Sequence, residues 1–151
     1  MLESIKQASS YKWWVFGAVS VGTFSSVVDH GSVSVALPLM ARHFNTAIPT
    51  AQWIVIGYAL AISALLLPMG RLADLIGLKR VYLLGSLVYV LGAIAVGAST
   101  NLTVLILSRL VQGSGAAMTQ GTGMAIVIAA FPPSERGKAV GSMMSIVGIG
   151  A

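Results

Sequence analysis

Long apolar runs broken by short polar segments divide the chain. A helix needs about 20 mostly apolar residues to cross the ~30 Å hydrocarbon core of a bilayer. Residues 13–40, 51–69, 81–99 and 102–130 each meet that length, and a fifth run begins near Ala139 and continues to Ala151. The segments between them, 41–50, 70–80, 100–101 and 131–138, are short. No sustained period-two alternation marks a half-buried strand. The pattern therefore predicts an all-α membrane protein, a helical bundle of four spanning helices plus the start of a fifth. The 13 residues from Ala139 to Ala151 would make about 20 Å of helix, less than a bilayer core. Stopping there would leave backbone carbonyls unpaired in lipid, so further helices of the same polypeptide are expected to follow.

The polar positions inside these runs carry the candidate chemistry. Asp29 and Arg109 each lie in the middle of an apolar stretch. An ionised group at that depth costs at least ~2.5–3.5 kcal/mol on insertion scales, so it is seldom there without a role. Arg109 is about 12 Å below the start of its helix and Asp29 about 20 Å below Arg42, a difference an arginine side chain can largely span. Gly22, Ser25, Ser26, Asp29, Ser32 and Ala36 recur at helical spacing on the first run. They read as a wall facing a solute or a proton, or as a tight seam with one paired acid. On the fourth run Arg109, Gln112, Ala116 and Gln120 share a face. Beside it Gly113, Ala117, Gly121, Ala125 and Ala129 recur every four residues as a small-residue packing ridge. Ser25, Ser26, Ser32, Gln112 and Gln120 are thus the candidate solute-facing residues. His30 is turned about 100° from Asp29 and reads as a hydrogen-bonded structural residue.

Composition supports the membrane reading. The chain is 56% hydrophobic and 9% charged, where a soluble domain would carry about 25% charged residues. Its mean hydropathy is +0.89. The net charge of +5 does not gather on one face, as a nucleic-acid site would require. With the N-terminus in the cytoplasm, Lys6, Lys12, Arg71, Lys79, Arg80, Arg136 and Lys138 lie inside and only Arg42 lies outside. That is the bias of the positive-inside rule, and Trp13, Trp14 and Trp53 fall where interfacial anchors belong. A multi-pass protein of the cell membrane is expected.

Other motifs lead nowhere. Gly113-Ser114-Gly115 and Gly121-Thr122-Gly123 lack the strand–turn–helix setting of a dinucleotide loop. Asn101-Leu102-Thr103 spells a glycosylation triplet but sits in a two-residue turn against the membrane. There is no cysteine, no metal-ligand cluster and no nucleophile–base pair, so no enzyme, cofactor or metal is expected.

Three segments in order, DHGSVSVALP (residues 29–38), GRLADLIGLKR (70–80) and LILSRLVQGSGAA (105–117), resemble successive signatures of the major facilitator superfamily. The first resembles that of its drug:proton antiporter branch with fourteen spanning helices, and Gln52, Trp53 and Tyr58 are similar to that branch too. The resemblance implies an alternating-access transporter. It implies that Asp29 and Arg109 serve proton or ion coupling, with Gly113 in the same signature as Arg109. It implies that Gly70, Asp74, Gly77, Lys79 and Arg80 belong to a cytoplasmic loop that latches one state of the cycle. Gly148-Ile149-Gly150-Ala151 looks like the opening of the antiporter signature. Leu78 and Leu75 depart from the basic residues usual in the loop, and Gly31 and Ser34 from the usual threonine and asparagine of the first signature.

The expected function is proton-coupled efflux of amphipathic or cationic small molecules, with the bilayer, protons and the solute as partners. An importer of a metabolite on the same fold, or a truncated non-transporting membrane subunit, are the alternatives.

Overall fold

A computed structural model of the chain describes residues 2–150, with side chains from 11 to 149. Every regular element among them is a helix: α1 (Leu2–His43), α2 (Ile48–Ala51), α3 (Trp53–Ile76), α4 (Leu78–Gly97), α5 (Leu102–Ala130) and α6 (Arg136–Gly150). The chain runs up and down. α3 and α5 are parallel, since Gly113 faces the Tyr58 carbonyl and Gly121 the Leu66 carbonyl one turn-pair further on. α4 runs antiparallel to α5, with Gly85 against Met118 and Gly92 against Gln112. α1 closes over this sheet of helices. Its N-terminal half packs on the C-terminal end of α5 and on α6 through Val19, Val127, Phe131, Ala139 and Met143. Its C-terminal half packs on α2, α3 and the start of α5 through Val33, Ala41, Ala51, Ile54 and Leu105. The two apolar clusters occupy opposite ends, and the middle of the bundle is left to polar groups.

Burial is inverted relative to a protein that folds in water. Leu67, Leu83, Leu87, Ile94 and Leu107 point outward and are exposed, while Ser108, Arg109, Gln112 and Thr122 are buried. Three helical stretches among the described residues are long and apolar enough to cross a membrane: Ile48–Ile76, in which α2 leads into α3, Leu78–Gly97 and Leu102–Ala130. α1 spans 42 residues, beyond the expected 13–40, and is not in that set. Asp29, His30 and the serines around them dilute its apolar character, and Ser20 and Ser26 turn into the bundle.

The segment 70–80, expected as a loop, is almost wholly helical. α3 continues through Gly70 and Asp74 to Ile76, and α4 starts at Leu78 with Lys79 and Arg80 in its first turn. Only Gly77 breaks the path, at φ +100°, a conformation that glycine adopts without a Cβ penalty. Arg71, Asp74, Lys79 and Arg80 are compatible with helix because they stand at its exposed ends. α5 keeps the expected bounds. Asn101 caps it, its side-chain oxygen accepting the Val104 N–H at 2.9 Å. The glycosylation-like triplet is thus part of a helix start.

Small residues set the helix spacing. The first three positions of the expected ridge pack α5 on α3: a Cβ on Gly113 would lie 2.7 Å from the Tyr58 carbonyl oxygen, and Ala117 between Gly113 and Gly121 is fully buried, whereas Ala125 and Ala129 are exposed. A second seam, between α4 and α5, is made by Gly85, Gly92 and Gly115. A Cβ on Gly92 would come within 2.6 Å of the Gln112 Cα. Backbone cannot yield as a flexible side chain does, so Gly92→Ala should destabilise the protein by about 1–3 kcal/mol. Gly97→Ala, where a Cβ meets nothing within 4 Å, should not. Thermal denaturation in detergent compares the two, and equal melting temperatures would refute this seam.

Candidate functional site

The polar centre is built from four helices. Arg109 and Gln112 are one turn apart on α5 and so share a face. Arg109 Nη1 donates to Asp29 Oδ2 on α1 at 2.6 Å and to Gln112 Oε1 at 2.9 Å. The Arg109 side chain is 3% exposed and that of Asp29 25%, so the cation is sealed and the acid retains an opening. The guanidinium also lies 5.7 Å from the ring centroid of Tyr58 on α3, within cation–π range. Tyr58 in turn stacks with His30 of α1, the ring centroids 5.9 Å apart and the planes 29° from parallel. From α4, the Tyr89 hydroxyl donates to the Ser25 carbonyl at 3.4 Å. Seven residues earlier, Tyr82 makes the same contact to Ala18. Two buried polar atoms have no partner among the described residues: Arg109 Nε and the Tyr58 hydroxyl.

This arrangement answers a buried charge while leaving it conditional. Removing one partner of a buried ion pair costs about 3–5 kcal/mol, because the other charge is left uncompensated. Protonation of Asp29 would do the same to Arg109 without any mutation. Gln112 would then be the remaining acceptor on its own helix, and α1 would lose its ion pair to α5.

Beside the pair opens a cavity of about 420 Å³ between α1, α3, α5 and α6. Ser26, His30, Tyr58, Ser63, Gln120 and Val147 are among its lining residues. Of the solute-facing residues expected, Ser26 and Gln120 lie on this cavity. Gln112 is buried as the partner of Arg109. Ser25 and Ser32 are exposed and away from the cavity lining. The inward line of α1 is Val19, Ser26 and Val33, spaced by seven, and a residue one position earlier stands about 100° off that line. Gly70, Asp74, Gly77, Lys79 and Arg80 are at the end of the bundle where Lys79 lies over Tyr11 and Lys12 pairs with Glu135 at 2.6 Å. They have no contact with the polar centre. Among the described residues no group of three or more metal-ligating side chains occurs.

The ring of Tyr58, which bridges Arg109 and His30, was not singled out as a site residue from sequence. Its signal is faint but present. Ile54, Tyr58 and Ala61 fall on one helical face, and a tyrosine there brings a hydroxyl into an otherwise apolar row.

Comparison with known proteins finds relatives of this chain. The family description "Major Facilitator Superfamily" matches residues 19–151. The riboflavin transporter RibZ of Clostridioides difficile is 38% identical over 139 residues, covering 92% of this chain and 30% of that protein. The multidrug resistance protein Stp of Mycobacterium tuberculosis is 38% identical over 134 residues, 88% of this chain and 25% of Stp. The puromycin resistance protein pur8 of Streptomyces alboniger is 33% identical over 141 residues, 93% of this chain and 28% of pur8. The chain therefore spans between a quarter and a third of the length of these relatives.

Proposed function

The chain belongs to the major facilitator superfamily, and from that premise we propose that it is part of a proton-coupled exporter of small amphipathic or cationic molecules. The remaining helices of the same polypeptide would form the rest of the carrier, and the cell membrane would be its location, with the N-terminus cytoplasmic. The observation that carries the proposal is the buried contact of Arg109 with Asp29 at 2.6 Å beside a lined cavity. A proton arriving at Asp29 cancels its charge and releases Arg109 to Gln112. The α1–α5 contact is thereby a two-state element that proton and solute can both bias. Rocking of helical bundles about a midplane site then converts that bias into transport. The electrical part of the driving force is ~2.3 kcal/mol per charge per 100 mV.

The name of one relative, a riboflavin transporter, supports a second reading in which the solute is a metabolite. The same cavity would serve it, with Ser26 and Gln120 as polar contacts.

Gly77 and Asp74 complete the proposal as a latch. Asp74 is exposed in the last turn of α3 and has no ion-pair partner among the described residues. It can therefore cap a helix N-terminus of a second bundle for up to ~2 kcal/mol, enough to change a two-state population severalfold.

Two outcomes follow in the whole transporter that carries this chain. Asp29→Asn keeps a carbonyl acceptor for Arg109 but cannot exchange a proton. It should insert normally and lose at least about tenfold of pH-gradient-driven flux in membrane vesicles, and unchanged flux would reject the coupling role. Asp74→Asn should slow turnover and raise labelling of cysteines introduced at cytoplasmic-side positions, as the inward-open state gains population. Labelling identical to the wild type would leave the latch without support.

A further inference from the structure

A second cavity, of about 380 Å³, opens where the start of α6 meets the N-terminal part of α1, at the opposite end of α6 from Val147. Proton coupling and the latch make no use of it. Lys12, Glu135 and Lys138 line it on the side of the polar connection, and Trp13, Phe16 and Ser142 on the side of the spanning segments. Lys12 is the last charged residue before the apolar run 13–40, so the cavity lies at the bilayer boundary, the height of phospholipid headgroups. We propose that it binds the headgroup of an anionic phospholipid, with the phosphodiester held at Lys138 and the acyl chains passing out along Trp13 into the bilayer. This rests on the membrane-spanning fold and not on the reading of the other cavity or of Asp29.

Charge selects the sign of the ligand. Lys12 Nζ lies 2.6 Å from Glu135 Oε2 and 5.6 Å from the centroid of the Phe131 ring, so its charge is answered within the protein. Lys138 is exposed and has no ion-pair partner among the described residues. Arg136 beside it donates from Nε to the Phe131 carbonyl at 3.2 Å and has no carboxylate partner among the described residues either. Two lysines against one glutamate leave the lining with one positive charge in excess. Ser142 is one turn beyond Lys138 on the same face of α6 and adds a hydroxyl to the same wall.

Polarity selects the kind of ligand. Trp13, Phe16 and Phe131 meet edge to face with ring centroids 5.6–6.1 Å apart, an apolar floor that a free inorganic anion would not need. Trp13 is 59% exposed, which leaves much of its indole to lipid. A volume of this size holds a headgroup and leaves both acyl chains in the bilayer. Phosphatidylcholine carries the same phosphodiester, but its choline would bring a second cation beside Lys138. One basic residue close to an anionic lipid surface is worth about fivefold in affinity.

Quenching of Trp13 fluorescence tests this in the whole transporter, in a background where Trp13 is the only tryptophan. The protein is reconstituted in dioleoylphosphatidylcholine vesicles with a rising fraction of brominated phosphatidylglycerol or brominated phosphatidylcholine, which gives the relative affinity of the two lipids at Trp13. Phosphatidylglycerol should be preferred about fivefold, and Lys138→Gln should reduce the ratio to about one. Glu135→Gln frees Lys12 and should raise the ratio by about a further fivefold. Arg71→Gln removes a charge from the same end of the bundle outside the cavity and should leave the ratio within about twofold. Equal quenching by the two lipids with the cavity unaltered overturns the proposal, as does a ratio lowered by Glu135→Gln. An equal fall in Arg71→Gln and Lys138→Gln also overturns it, because attraction would then be spread over the basic end. If millimolar inorganic phosphate, replacing chloride at constant ionic strength, abolishes the preference, the cavity takes a soluble anion and the lipid assignment falls. Native mass spectrometry repeats the comparison with every tryptophan in place: bound phosphatidylglycerol should fall in Lys138→Gln and not in Arg71→Gln, and identical binding in the two overturns the proposal.

Discussion

The guanidinium of Arg109 sits about two turns into α5, almost sealed from its surroundings, and the fold around it is shaped by the need to answer its charge. Desolvating such a group costs several kcal/mol unless it is paired and hydrogen-bonded. α5 alone supplies Gln112 as one acceptor. The second, Asp29, has to come from α1, which fixes the rotation and height of a 42-residue helix that is otherwise held mainly at its two ends. The Tyr58 ring fills the remaining side. The one element the pair positions most strongly, α1, is therefore also the one most exposed to any loss of the Asp29 charge.

Close helix approach makes that geometry possible. Lipid tails are as apolar as leucine, so the bundle gains no ordinary hydrophobic drive to pack and relies on shape. Gly113, Ala117 and Gly121 bring α3 against α5, and Gly85, Gly92 and Gly115 bring α4 against it. The result is a close-packed three-helix platform. On its surface α1 is attached by two apolar clusters towards its ends, and by an ion pair and two long tyrosine hydrogen bonds, polar contacts that can exchange partners. Tight small-residue packing thus joins α3, α4 and α5, while α1 adds exchangeable polar contacts to its apolar ones.

What the sequence reveals depends on how local each feature is. The span of α5 could be read directly, because its cap at Asn101 and the prolines after Phe131 are local signals. The pairing of Asp29 with Arg109 was accessible from depth alone, since the helix rise places both at reachable heights. The segment 70–80 misled because charged residues suggest solvent and therefore loop, although a helix end that leaves the bilayer carries charges equally well. The exposed positions of Ser25 and Ser32 depend on the inward line of α1, which is chosen by Val19 and Val33 packing on other helices. The Gly85–Gly92–Gly115 seam was not visible because it exists only once α4 is known to be the neighbour of α5. The Tyr58 bridge depends likewise on four helices meeting.

The direct measurement of the central constraint is a double-mutant cycle on Asp29 and Arg109, read as thermal stability of the whole transporter in detergent. If the pair is what holds α1 to α5, Asp29→Asn and Arg109→Gln will each destabilise. The double variant will then be less destabilised than their sum by about 1–3 kcal/mol, the range found for residues in direct polar contact. Strict additivity of the two substitutions would contradict the account, because it would mean that neither charge depends on the other.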